Sequence, residues 1–326
     1  MTEPATANNP DIANDITPSS SRLHDGPSFV ANALPAGAQD YLKADNPRLL
    51  ELRSRYEEFS QFGHTLWTRG YLDGELDIAH FRGDNAYNWQ VRGGIQEIQY
   101  ALTAYFAMTN DRLKIFDRLL EDDLFGAYTY DFNGKIISRD LLDSVIQINF
   151  LEKYVGLSNR PNVTIFDLGA GYGRLAWRLS EALPNAKKIW CSDAIPESTF
   201  LCEYYLRFRG ASDNVQVLPL DKIGAALLGQ KIDIVTNVHS FTECTIEAIG
   251  WWLSLLSAAS VTYLMIVPNT RDRLLSMEAD GNRVDFQPLI EQFGYRLVKK
   301  EDAYEGAPTV QRFGVYSGTH WLFERD

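Results

Sequence analysis

Apolar positions along this chain change their spacing part-way, and the change divides it. Residues 1–38 are rich in Pro, Ser, Asn, Asp and Ala, show no sustained period, and read as a disordered or loosely attached arm. Residues 39–158 follow mostly helical spacing and are expected to form a mainly helical N-terminal cap or lid region. Residues 159–326 alternate short β-branched runs with amphipathic stretches, the pattern of a parallel sheet with crossover helices on both faces. The expected fold class is therefore α/β, with a Rossmann-like sheet preceded by helices.

In the first half, Tyr41, Leu42, Leu49, Leu50, Leu52, Tyr56 and Phe59 recur at helical intervals, and Asn46-Pro47 supplies a start signal. Residues 60–95 break the period: aromatics and glycines are dense and polar groups interleave. Two readings stay open there, a helix-linking loop with buried aromatics and an acceptor-binding lid. In the second, Arg82, Asn85, Tyr87, Gln90 and Arg92 offer donors and an aromatic face to a polyhydroxylated ligand. Helical spacing then resumes over 95–109 and 112–126, where Glu121, Asp122 and Asp123 read as a solvated patch. Asn133-Gly134 marks a turn. Ser138 is a natural cap for a helix over 138–157, at whose start Arg139 and Asp140 are either cofactor contacts or capping partners.

The second half opens on the strand Val163, Thr164, Ile165, Phe166, followed by Asp167 and by Gly169, Gly171 and Gly173. Strand, glycine turn and helix start bring backbone close to a nucleotide-like ligand. A dinucleotide fingerprint would place a third glycine where Arg174 stands. The DxGxGxG form instead resembles motif I of class I S-adenosylmethionine-dependent methyltransferases, which implies a donor site over Asp167, Gly169, Ala170, Gly171, Tyr172 and Gly173. A second strand, 186–194, ends in Asp193 and Ala194, where a carboxylate can accept from both ribose hydroxyls. A third, 214–220, ends at Leu220 and Asp221, on the adenine side in such folds. A fourth, 231–238, delivers Asn237 and runs into His239 and Glu243. The last two runs, 295–302 and 315–324, lack a long crossover and read as an antiparallel edge pair, an ending that fits methyltransferases better than most dehydrogenases.

Bulk properties change this picture little. With 43 acidic against 31 basic residues the net charge is −12, which argues against nucleic acid as the main partner. Three scattered cysteines, Cys191, Cys202 and Cys244, read as buried thiols. No apolar run reaches membrane length and the start lacks a signal-peptide pattern, so a cytoplasmic protein without a membrane span is expected. Of the five histidines only His239 falls at a strand end on the expected ligand rim. It reads either as a buried structural histidine or as a general base with Glu243 orienting it or holding a neighbouring hydroxyl. A divalent cation such as magnesium is left open, since no compact carboxylate cluster commits the chain to one, and no metal ligand is assigned.

Taken together, FRGDNAYNWQ, LLEDDLFGAY, SRDLLDS, FDLGAGYGRLAWRL, CSDAIPESTFLCEYYLRFRG, NVHSFTEC and LMIVPN resemble the bacterial family of sugar O-methyltransferases. The resemblance runs from about residue 60 to the C-terminus. It implies a class I fold, S-adenosylmethionine as donor, and a sugar hydroxyl as acceptor, free or within a glycoside or polysaccharide precursor. The residues leave two alternatives: a methyltransferase acting on a non-sugar small molecule, and a nicotinamide-dependent oxidoreductase.

Overall fold

The computed structural model describes residues 34–62, 65–74, 76–84, 86–87 and 96–325. Most of the arm over 1–38 lies outside them, as do Asn85, Gln90 and Arg92. The described residues all fall in one compact unit, 32–326.

Buried β-branched and aromatic runs build the centre. Strands β1 (Thr129–Phe132) and β2 (Lys135–Ser138) form a small antiparallel hairpin across Asn133-Gly134. The main sheet takes the other seven: β3 (Val163–Leu168), β4 (Ala186–Ser192), β5 (Val215–Val217), β6 (Lys231–Val238), β7 (Ser260–Val267), β8 (Tyr295–Asp302) and β9 (Thr319–Arg325). Their spatial order is β5-β4-β3-β6-β7-β9-β8. The first five are parallel, and β9 pairs antiparallel to both β7 and β8. The chain thus has the expected α/β fold. In β3 and β6 the residues Ile165, Phe166, Leu168, Ile232, Ile234 and Val235 are fully buried, as a central parallel strand covered on both faces requires.

Because β3 is followed by β4 on one side and β6 on the other, the strand order reverses at β3. Ligand crevices in open α/β sheets form at such a reversal, beyond the carboxyl ends of the strands. The glycine loop after β3 and the turn after β6 therefore stand side by side.

The helix Arg139–Val155 starts as predicted, with Leu141 N–H donating to Ser138 Oγ at 3.1 Å, and ends at Gly156 in the left-handed region (φ +68°). Thr245 caps Ile246–Ser257 in the same way, through Ala248 N–H. The helix Pro47–Tyr56, capped by Asn46, docks on Pro196–Phe208 through Arg48–Glu203 (2.6 Å), Arg53–Glu197 (2.8 Å) and the Tyr56–Thr199 hydroxyl pair.

Two expectations are corrected. The segment 112–123 is not helical; only Gln96–Thr109 forms the α-helix, and a short 3-10 turn follows at Leu124–Gly126. The reason is tertiary: Asn149 Oδ1 accepts from the backbone N–H of Arg112 (2.7 Å), and Asp111 Oδ2 from that of Phe116 (2.6 Å). Side-chain acceptors satisfy donors that a helix would otherwise use. Nor is 121–123 a solvated patch throughout. Glu121 has a fully buried side chain that accepts from Arg82 (2.5 Å), Arg178 (3.0 Å) and the Ser138 hydroxyl. Burial opposes its ionisation, but the two guanidinium groups hold its carboxyl below the usual range.

Removing one member of a buried ion cluster leaves uncompensated charge, which costs more than the cluster contributes. Glu121→Leu is expected to lower unfolding stability by about 3–5 kcal/mol, because Arg82 and Arg178 lose their shared partner. Urea denaturation of both proteins measures this, and an unchanged midpoint would show that the cluster is not a structural element.

Candidate active-site cleft

The cleft lies at the reversal point and draws on both halves of the chain. Its lining includes Asp167, the glycine loop and Arg174 from the β3 side, Asp193 and Ser198 from beyond β4, and His239, Ser240 and Glu243 from beyond β6. Trp67, Ala86 and Tyr87, from the aromatic-rich segment, complete it.

The loop is shaped by its glycines. Gly169, Gly171 and Gly173 have φ of +71°, +55° and +87°, conformations in which a Cβ is penalised. Space matters at all three, and two of the contacts cross to other parts of the cleft. A Cβ on Gly169 would stand 2.3 Å from the Ser240 side chain, and one on Gly171 would stand 3.0 Å from the Tyr87 ring. The loop is thus moulded against the turn after β6 and against Tyr87.

Two carboxylates flank it. Asp193 is buried at the tip of β4 and accepts the backbone N–H groups of Gly171 and Ile195, each at 2.9 Å. Those bonds aim it at the loop. Asp167, also buried, accepts from the Thr236 hydroxyl at 2.7 Å and has no ion pair among the described residues. Burial pushes its carboxyl up to about 6, although Thr236 and the nearby Arg174 both favour the ionised form.

Opposite the loop, His239 sits in a strained backbone position, φ +68° and ψ −31°. Its N–H donates to the Val267 carbonyl (2.7 Å), and its carbonyl accepts from the Thr242 N–H and hydroxyl. The imidazole itself has no hydrogen bond among the described residues. Burial, reinforced by the Arg139 charge, lowers its pKa to about 4, so the ring is neutral at physiological pH. Glu243 does not bond to His239. It accepts from Trp67 Nε1 (3.0 Å) and Asn269 Nδ2 (3.2 Å), while its backbone carbonyl accepts the Thr65 N–H (2.9 Å). Trp67 packs its ring 5.1 Å from that of Tyr87, whose hydroxyl meets Ser198 at 3.2 Å. These contacts strap the aromatic segment over the cleft.

Thus the structure brings Asp167, Gly169, Ala170, Gly171, Tyr172, Asp193, His239, Glu243 and Tyr87 to one cleft. It places other expected site residues in the framework around it. Gly173 packs where a Cβ would meet Cys202 Sγ at 2.8 Å, and Ala194 is buried beside Asp193. Asn237 donates to the Leu168 carbonyl (3.0 Å) and accepts the Phe241 N–H (3.0 Å), tying the two loops together. The Leu220 N–H donates to the Tyr56 hydroxyl (2.8 Å), and Asp221 pairs with Arg55 (2.6 Å). Arg139 pairs with Asp143 (3.2 Å) and donates to the Tyr316 carbonyl (2.7 Å). Arg82 is buried against Glu121, Asp122 and Asp140, away from any acceptor surface. Asp140 in turn accepts the hydroxyl of Tyr172, so this cluster braces the glycine loop from behind.

Trp67 and Ser198 are cleft residues that spacing did not single out. Trp67 falls in the aromatic-rich stretch over 60–95 and Ser198 in CSDAIPESTFLCEYYLRFRG, which carries the resemblance, but only folding shows which side chain turns inward. Among the described residues, no group of three or more His, Cys, Asp or Glu is placed to hold a metal ion. The three cysteines are free and buried, and no described helix is long and apolar enough to cross a membrane.

No protein-family model matches this chain, and no curated protein does. Solved structures do align with it. A S-adenosylmethionine-dependent methyltransferase from Clostridium acetobutylicum ATCC 824 aligns at 13% identity and a TM-score of 0.39, covering 56% of this chain and 90% of its own. Magnesium protoporphyrin IX methyltransferase (ChlM) from Synechocystis PCC 6803, with bound SAM, aligns at 12% identity and 0.40, covering 73% and 100%. The [4+2]-cyclase SpnF aligns at 15% identity and 0.41, covering 72% and 97%.

The Asp167 carboxyl gives a pH test. Its folded pKa lies above the unfolded value of 3.8, so its contribution is full below that value and is lost as pH rises through about 6. Asp167→Asn removes this loss. Relative to the parent, the variant is expected to gain on the order of 2 kcal/mol between pH 4 and pH 7, measured by urea unfolding across that range. A difference independent of pH would contradict the raised value.

Proposed function

We propose that this protein is an S-adenosylmethionine-dependent O-methyltransferase acting on a carbohydrate hydroxyl, with His239 as the proton acceptor. The observation that carries the reading is the meeting of two things in one cleft. One is a three-glycine, positive-φ loop bounded by the buried acids Asp167 and Asp193. The other is the His239 imidazole, neutral and without a hydrogen bond among the described residues, beyond the neighbouring strand.

The residues present fit the donor. Asp193 at the tip of β4 suits a ribose, and the glycine loop offers backbone without side-chain bulk. Arg174 replaces the third glycine of a dinucleotide site and is tethered to Ser144 and Gln147, which disfavours a nicotinamide cofactor. The sheet ends in an antiparallel pair, the ending that resembles class I methyltransferases. When bound, S-adenosylmethionine supplies an electrophilic methyl group on a sulfonium centre.

The chain's own residues then hold an acceptor against that carbon. Much of the rate in such a transfer comes from fixing two reactants in line. Trp67 and Tyr87 present aromatic faces over the cleft, suited to the C–H face of a sugar ring. Glu243, fixed by Trp67 and Asn269, is an acceptor for a neighbouring hydroxyl. His239 would accept the proton that the attacking hydroxyl loses as its oxygen bonds the methyl carbon and the methyl–sulfur bond breaks. With a pKa of about 4 it is a weak base, so the proton moves late, when the attacking oxygen has become acidic. Asn85, Gln90 and Arg92 belong to the same proposal as acceptor contacts; they lie outside the described residues. Magnesium is tested alongside, as a cation able to acidify adjacent hydroxyls.

A labelled-methyl transfer screen over mono- and oligosaccharides, with and without magnesium, tests the reading. His239→Gln should lower kcat by at least about 10²-fold while the affinity for S-adenosylhomocysteine stays within about twofold. An active variant would remove His239 from the reaction. Failure of the parent to bind S-adenosylhomocysteine would remove the donor.

A further inference from the structure

Tyr316 is a half-exposed aromatic side chain (50% exposed) on a segment that is otherwise buried, with Val315 and Ser317 at 2% and 5%. The segment is also fixed. The Val315 N–H donates to Thr103 Oγ1 (2.9 Å), and its carbonyl accepts the Tyr304 hydroxyl. The Tyr316 carbonyl accepts Arg139 Nη2 (2.7 Å), and the Ser317 hydroxyl donates to Asp143. Arg139 and Asp143 are themselves a buried ion pair. The helices Gln96–Thr109 and Arg139–Val155 thus clamp 315–317, while the phenol ring keeps half its surface in solvent. An aromatic ring on a rigid backbone loses little conformational freedom when a ligand packs on it.

This ring stands on the same rim as His239, with β7 between them. Val267, at the end of β7, links the two positions. Its carbonyl accepts the His239 N–H (2.7 Å). On its other side, a Cβ on Gly318 would stand 3.3 Å from Val267 Cγ1, 3.4 Å from the Pro268 carbonyl and 3.9 Å from the Tyr316 hydroxyl. The loop after β7 makes the same crossing. Asn269 donates to Glu243 in the cleft (3.2 Å), and two residues on, Arg271 lies within electrostatic reach of the Tyr316 side chain, as do Asp272 and Asp302. Arg271 is exposed, and its backbone is left-handed (φ +59°), a conformation that costs a non-glycine residue energy. An aromatic face flanked by a guanidinium and carboxylates suits a pyranose, whose C–H face packs on the ring while its hydroxyls meet the charges.

We propose that Tyr316, with Arg271 beside it, forms a second sugar-ring subsite beyond His239, so that the acceptor is a glycoside or oligosaccharide and not a free monosaccharide. This inference rests on the carbohydrate reading above and adds to it the length of the acceptor. The ring that bears the reacting hydroxyl lies among Trp67, Glu243 and His239. The next ring lies over the loop 268–271 and stacks on Tyr316. Tyr316 stays clear of the reacting atoms, so it sets acceptor affinity and length preference while leaving the chemical step alone.

Labelled-methyl transfer by the full chain is compared between monosaccharide and disaccharide in matched series. The probes are methyl glucoside against maltose and cellobiose, methyl mannoside against mannobiose, and methyl galactoside against galactobiose. In a series that reacts, kcat/KM for the disaccharide should exceed that for the monosaccharide at least about tenfold. Tyr316→Ala should remove this advantage through KM, with kcat and the monosaccharide kcat/KM within about threefold, and Tyr316→Trp should retain it. Equal kcat/KM for the two acceptors in the parent overturns the proposal. So does a Tyr316→Ala protein that keeps the preference, or one that loses activity on both acceptors alike, the result of a merely structural role. The parent comparison stands even if the variant does not fold. A parent that binds S-adenosylhomocysteine but methylates no saccharide removes the carbohydrate reading and this inference with it, a different result from equal rates on both acceptors.

Discussion

The cleft depends on how closely two loops approach one another. Gly169 lies so near Ser240 that a single added methyl would stand 2.3 Å from that side chain. Asn237 locks the approach by donating to the Leu168 carbonyl and accepting the Phe241 N–H. Only a residue without a Cβ, in the left-handed region, satisfies both the spacing and the backbone angle at this point. With the loops held in register, β3 and β6 present their carboxyl ends as one rim, and Asp167, Asp193 and His239 line one cleft there.

That rim is braced from behind by ionic contacts rather than by apolar packing alone. Glu121 joins Arg82 to Arg178, Asp140 joins Arg82 to the Tyr172 hydroxyl, and Tyr172 belongs to the glycine loop. Buried charges of this kind are costly to desolvate and are retained where a particular arrangement must be held. Here they fix three segments far apart in sequence: the aromatic-rich stretch, the turn near 121 and the loop after β3. The same aromatic-rich stretch reaches over the front of the cleft, where Trp67 bonds Glu243 and Tyr87 meets Ser198. One stretch therefore supports the loop from the back and covers it from the front.

The cleft's charges divide by partnership. Arginines that act as struts have carboxylate partners, while Arg174 is held by neutral groups. Asp193 is oriented by backbone N–H groups, and Asp167 by one hydroxyl.

Much of the fold was legible in the sequence, because it rests on local signals. Apolar β-branched runs marked β3, β4 and β6; Asn46 and Ser138 marked helix starts; the DxGxGxG spacing marked the loop; and the closing runs marked an antiparallel pair. Each is a property of a few adjacent residues and their backbone preferences. The positions of Asp167, Asp193 and His239 at strand ends followed from that periodicity alone. Tertiary structure decided the rest. Whether Glu121 meets water or two guanidinium groups, whether Arg82 lines a cleft or braces it, and whether 112–123 coils as a helix depend on side chains tens of residues away. Asn149 captures backbone donors that local propensity assigned to a helix, and Arg178 and Arg82 converge on an acid that its neighbours made look solvated. Sequence spacing carries the period of an element but not the direction from which another element arrives, and the energy of a buried charge is set by that arrival.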